Sequence, residues 1–125
     1  MFTHFMVGAD DIDASKKFYD AILGVIGVEP GVIDRFGRVF YHVAGIAFGV
    51  TVPIDGEKAL PANGGTIGFG AASPEQVDAW HEAGLKAGGV SCENPPGVRA
   101  PFASYAAYLR DPVGNKLCIS CPIEV

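Results

Sequence analysis

The chain has 125 residues, enough for one domain with a real core and no need of disulfides or a structural metal. Hydrophobic residues make up 49% and charged residues 18%, which excludes a disordered chain. Nine Lys and Arg against fourteen Asp and Glu give a net charge of −5, and no basic cluster exceeds Lys16-Lys17, so neither nucleic acid nor an anionic membrane is an expected partner.

The first apolar run, residues 2–8, reads as a strand. Asp10, Asp11 and Asp13 follow with no basic segment before them, so no secretory signal is expected. Asp11 is an N-cap residue whose carboxylate also suits the positive end of a helix. Ala14, Phe18, Ala21, Ile22 and Val25 then recur at helical spacing, and Gly24 or Gly27 ends the run. A strand is expected near 30–34, followed by a hairpin of strands 38–44 and 46–52 with Ala44-Gly45 at its turn. The uncharged stretch across this hairpin is shorter than the roughly 20 residues that span a bilayer. The loop Pro53-Ile54-Asp55-Gly56-Glu57-Lys58 is a candidate rim, and Glu57 is the one carboxylate considered as a general base.

The second half begins with a strand at 65–70. Ser73-Pro74-Glu75-Gln76 supplies a serine N-cap, proline at the first helical position and Gln at the capping-box position. The helix carries Val77, Trp80, Ala83 and Ala87 and stops at Gly88-Gly89. The segment from Glu93 to Pro101 is rich in Pro and Gly and is expected to be an irregular lid, with Arg99 placed to meet an anionic ligand. Strands 104–110 and 116–121 are joined by the turn Asp111-Pro112-Val113-Gly114-Asn115.

The two halves repeat. Residues 4–28 align without a gap on 66–90, placing Gly8 on Gly70, Leu23 on Leu85, Gly27 on Gly89 and Phe18 on Trp80. Strand, helix and strands, twice over, give an α+β fold with the helices packed outside a curved sheet.

Cys92, Cys118 and Cys121 are an odd, sparse set that suits a reducing cytosol, so a cytoplasmic protein is expected. Cys118 and Cys121 form a C-x-x-C in a strand, where residues three apart face opposite sides, and this does not match a redox motif at a helix start. His42 and His81 are expected to be structural, and Tyr41, Tyr105 and Tyr108 to be packing residues with anchored hydroxyls or pocket linings.

His4 in the opening strand, Asp11 to Tyr19 at the first helix and Arg110-Asp111-Pro112-Val113-Gly114-Asn115 before the last strand together resemble the vicinal oxygen chelate superfamily, the glyoxalase/bleomycin resistance protein/dioxygenase family. The resemblance implies a single domain, 1–125, of two tandem βαβββ modules, about 1–60 and 64–122. It also implies a cup-shaped mixed sheet that holds the ligand, and commonly a homodimer. Metal-dependent members carry His or Glu on the first strand and a later strand of each module. Those positions fall here on His4, on Ala47 or Gly49, on Thr66, and on Cys118, three residues after Asn115. Strand alternation puts His4 and Met6 on one face, Thr66, Gly68 and Gly70 on the corresponding face of the second module, and Lys116, Cys118 and Ser120 there on the last strand.

One imidazole does not hold a divalent ion, because a catalytic site needs about three protein ligands. The expected function is therefore binding of a small organic molecule in a cup lined by His4, Met6, Thr66 and Cys118, with Arg99 at the rim and no cofactor. The alternative is a metal-dependent enzyme, a lactoylglutathione-lyase-like lyase or isomerase or a dioxygenase. It would hold a divalent metal on His4 with help from Glu57 and Cys118 and act on a thiol adduct or a vicinal oxygen compound.

Overall fold

The computed structural model describes residues 1–124. Its elements follow the chain as β1 (His4–Gly8), α1 (Ile12–Val25), β2 (Val32–Ile33), β3 (Val39–Val43), β4 (Ile46–Thr51), β5 (Ile67–Gly70), α2 (Pro74–Lys86), β6 (Val90–Ser91), β7 (Gly97–Arg99), β8 (Ser104–Arg110) and β9 (Lys116–Pro122). The first sheet runs β1-β4-β3-β2, with β1 parallel to β4. The second runs β5-β9-β8-β6, with β5 parallel to β9 and β7 also on β8. Each half therefore carries the βαβββ order, the two sheets matching in the order of their four main strands while β7 is an extra strand of the second.

The helix ends follow the sequence signals. Asp11 accepts the Ala14 N–H at 3.0 Å, and the Ser73 hydroxyl accepts that of Gln76 at 3.2 Å. The Gln76 side chain accepts the Ala72 N–H, one residue before the cap, and donates to the Val25 carbonyl at the end of α1. It thus ties the start of one helix to the end of the other. Gly27 (φ +86°) and Gly88 (φ +102°) follow the two C-caps in the left-handed region, where a Cβ would clash with its own backbone.

One region departs from expectation. The segment 93–101 is not wholly irregular: Gly97–Arg99 pairs with β8, and Ala100–Phe102 forms a single 3₁₀ turn. Proline blocks only its own N–H, so the residues between Pro96 and Pro101 remain free to join a ladder. Thr66 lies just before β5 rather than within it.

Both modules share one core. Phe18, Tyr19, Ile22 and Leu23 of α1 and Val77 and Trp80 of α2 pack with Val39, Tyr41, Phe48 and Val50 of the first sheet and Ala107, Leu109, Leu117 and Ile119 of the second. Phe18 and Trp80, paired by the repeat, are both fully buried. Where α2 meets β8, Gly84 leaves no room for a side chain. A Cβ there would stand 2.2 Å from Leu109 Cδ1 and 3.1 Å from Ile22 Cγ2. Gly84→Val is expected to destabilise the fold by about 1–3 kcal/mol through overpacking, read as a lower urea midpoint at unchanged slope.

The turn 111–115 ties the modules together. Asp111, 3% exposed, accepts the backbone N–H groups of Val113, Gly114 and Asn115 on Oδ1. Its Oδ2 accepts the Tyr19 hydroxyl at 2.6 Å and the Asn115 amide at 2.8 Å. Burial, then the Asp111 carboxylate, holds the Tyr19 phenol well above its usual range, so it stays a donor.

Candidate functional site

Each sheet turns one face to the shared core and leaves the other bare. On the first sheet, Val7, Val39, Tyr41, Phe48 and Val50 point to the core. The bare face carries His4, Ala47 and His42 in one cross-strand row and Met6, Gly49 and Phe40 in the next. Met6 and Phe40 close over Gly49, where a Cβ would lie 2.5 Å from Met6 Sδ and 2.8 Å from Phe40 Cε1. His4 is exposed, with its Nδ1 2.7 Å from the Thr3 hydroxyl. His42, read as structural from its apolar neighbours, is also exposed on this face.

On the second sheet the bare face carries Gly68, Cys118 and Tyr108 in one row and Lys116 beside Arg110 in the next. The repeat makes Gly68, Cys118 and Tyr108 the counterparts of Met6, Gly49 and Phe40. The bulk sits on β1 and β3 in one module and the open space sits on β5 in the other. Arg99 reaches this surface from β7. Its guanidinium carbon lies 5.9 Å from the Tyr108 ring centroid, and the Lys116 ammonium lies 5.2 Å from the same centroid. Arg99 is steadied by the Asn94 and Pro95 carbonyls at 3.0 and 2.9 Å, and Lys116 pairs with Glu93.

The two sheets share no strand pairing, and the free edges of β1 and β5 stay unpaired among the described residues. The predicted site residues accordingly fall into two groups. His4 and Met6 lie on the first bare face; Thr66, Cys118 and Arg99 lie on the second. Glu57 is exposed in a turn held by Asp55, whose side chain accepts the Glu57 N–H. Cys121 is buried in the core while Cys118 is half-buried on the bare face, so the C-x-x-C thiols point to opposite sides as alternation requires. His81 shares a hydrogen bond with Ser91 at 2.9 Å, and burial lowers its pKa. Tyr41 and Tyr105 anchor their hydroxyls on Asp20 and Asp78.

Within a single chain these donors do not assemble a site for a divalent metal. Among the described residues no group of three or more His, Cys, Asp or Glu could hold one. Burial pushes the Cys118 thiol up, and Tyr108, Arg99 and Lys116 only partly oppose that. Cys118 in turn raises the Tyr108 phenol.

Two hollows among the described residues bear on the site. One, about 720 Å³, opens on the core side between the first sheet, the segment 26–30 after α1, and β5. Phe5, Tyr41, Phe48 and Phe69 wall it together with Gly68 and Gly70, and none of His4, Met6, Thr66, Cys118, Arg99 or Glu57 lines it. The sequence signal for it was the aromatic set at alternate strand positions, which reads equally as plain core. The other, about 470 Å³, lies where the linker 61–65 meets Thr66, Arg110 and Lys116. It joins one predicted residue, Thr66, to two cations.

The family model of the Glyoxalase/Bleomycin resistance protein/Dioxygenase superfamily matches residues 1–119, and the chain belongs to that superfamily. No curated protein matches it. The chain is similar to the crystal structure of a glyoxalase/bleomycin resistance protein from Albidiferax ferrireducens T118, with 53% identity, a TM-score of 0.90, and 97% of this chain and 98% of that one covered. It is also similar to a glyoxalase-related enzyme from Fulvimarina pelagi, at 20% identity and TM-score 0.77 over 97% and 87% of the two chains. A lactoylglutathione lyase from Agrobacterium tumefaciens shares 25% identity at TM-score 0.68 over 97% and 92%.

Proposed function

We propose, on the premise of that membership, that the protein binds a small organic molecule on its bare sheet faces without the family's full metal set. The observation that carries this reading is the donor set itself: one exposed imidazole at His4, alanine and glycine at Ala47 and Gly49, and a half-buried thiol at Cys118. Shape, aromatic contact with Tyr108 and the polar groups around it then do the recognition. The two bare faces form one cup when two copies meet. The unpaired edges of β1 and β5 support this, because an open strand edge is a natural surface for a second chain. The protein is a cytoplasmic homodimer in this reading. Its three free cysteines favour a reducing compartment, and among the described residues no helix is long and apolar enough to cross a membrane.

The second reading, a metal-dependent lyase or isomerase, draws support from the likeness to the Agrobacterium tumefaciens lactoylglutathione lyase. Metal analysis separates the two. Protein purified without chelator is expected to carry well under one ion per chain. Stoichiometric Ni, Zn, Fe or Mn, lost in His4→Ala, would favour the enzyme. A thermal-shift screen of glutathione adducts, catechols and glycopeptide drugs tests the binding reading, since a ligand of the native state raises Tm. A monomer at micromolar concentration, or no stabilisation by any compound, would overturn it.

A further inference from the structure

We infer that the ligand carries an anionic group, seated in the hollow where Arg110, Lys116 and Thr66 meet on the second bare face. This names the ligand class of the binding reading and rests on it. Arg110 and Lys116 are direct cross-strand partners on β8 and β9. Like charges in that position repel and weaken a sheet unless something neutralises them. Glu93 pairs with Lys116 and also feels the charge of Arg110, so a single carboxylate faces two cations. Arg110 donates Nη1 to the Gly114 carbonyl at 2.8 Å and has no carboxylate partner among the described residues. Arg99, 5.9 Å from the Tyr108 ring centroid, likewise hydrogen-bonds only to carbonyls. Three of the chain's nine Lys and Arg residues thus gather on one face of a protein with net charge −5.

The surroundings shape the ligand further. The hollow beside Arg110 is concave and polar, walled by the linker 61–65 and the Thr66 side chain, so it offers hydrogen bonding rather than apolar contact. A guanidinium fork matches carboxylate, phosphate and sulfonate oxygens in pairs. Tyr108 stands one row away with Gly68 opposite across Cys118, and a Cβ at Gly68 would meet no atom within 4 Å. An aromatic or planar body can therefore lie against Tyr108 while its anionic end reaches Arg110 and Lys116. A cationic ligand is excluded by the same three charges.

The test uses three probes of one shape: 1-naphthoate, 1-naphthyl phosphate and the neutral 1-naphthamide, titrated calorimetrically into the full chain. The two anions are expected to bind at least about tenfold tighter than the amide, with affinity falling as salt rises. The stronger of the two anions tells carboxylate from phosphate. Arg110→Gln and Lys116→Gln are each expected to weaken the anions several-fold and leave the amide unchanged. Glu93→Gln, which releases Lys116, is expected to tighten them. Circular dichroism of each variant shows whether the fold is kept; Arg110 and Glu93 are exposed and Lys116 half-buried, and Glu93→Gln serves as a gain-of-binding control. Equal binding of amide and anion, or anion binding indifferent to Arg110→Gln, overturns the anionic assignment while the small-molecule reading stands. Failure of every probe and of every compound in the thermal-shift screen removes both.

Discussion

Asp111→Ala is expected to lower the free energy of unfolding by about 2–4 kcal/mol, because a buried acceptor of several hydrogen bonds is lost and its donors are left unsatisfied. The carboxylate has five hydrogen-bond donors around it: three backbone N–H groups of its own turn, the Tyr19 hydroxyl and the Asn115 amide. Deleting it leaves the Tyr19 hydroxyl stranded in the core, where an unsatisfied buried donor costs about 1–3 kcal/mol. The turn also loses the acceptor that organises it, and with it the placement of Asn115, whose amide reaches toward the Gly8 carbonyl of β1 at 3.5 Å. Urea unfolding followed by circular dichroism measures the loss. Tyr19→Phe in the Asp111→Ala background should cost less than in the wild type, because the hydroxyl has already lost its partner. A loss below about 1 kcal/mol for Asp111→Ala would mean that the network holds little of the fold.

Trp80→Ala is expected to cost about 3–5 kcal/mol, the usual range for emptying a large aromatic site. Trp80 is fully buried between α2 and the second sheet, and truncation opens a void bordered by both modules. The indole also carries a liability, since Nε1 is buried with no hydrogen-bond partner among the described residues. Trp80→Phe removes that unpaired N–H along with part of the ring. It is therefore expected to cost under about 1.5 kcal/mol, the lost packing being offset by the removed polar group. Circular dichroism is the proper readout because the substitution deletes the only tryptophan. Equal damage from Phe and Ala would show that the N–H is not the burden its burial implies.

The architecture was readable because it is written twice. The match of 4–28 on 66–90 located both first strands and both helices. Asp11 and Ser73 then marked the two helix starts at positions that the structure keeps. Strand alternation also assigned the faces correctly: Leu117 and Ile119 are core, and Lys116 and Cys118 are not. The short strand Gly97–Arg99 was missed because proline and glycine dominate the local signal, whereas the pairing is imposed from outside by β8.

The site was less legible, for a reason of symmetry. Alternation says which face of a strand a residue occupies, not how two sheets are placed in space. His4 and Cys118 are on equivalent faces, yet they lie on sheets joined only through their opposite, core-facing sides. His42 was read as structural because Tyr41 and Val43 flank it, but alternation turns it out onto the bare face, one strand from His4 across Ala47. Arg110 was read only as part of a turn motif. Its pairing with Lys116 across the hairpin becomes visible once the register is known.

The common core has a consequence for how the molecule comes apart. Neither half encloses its own interior: Leu109 of the second module rests near the Ile22 and Phe18 positions of the first, around Gly84, and Phe48 meets Phe69 across the boundary at 5.9 Å. An opening that begins in one half uncovers the inner wall of the other at the same moment. Loss of structure is then a single all-or-none event, and a nick in the linker 61–65 would leave two fragments that stay clasped to each other.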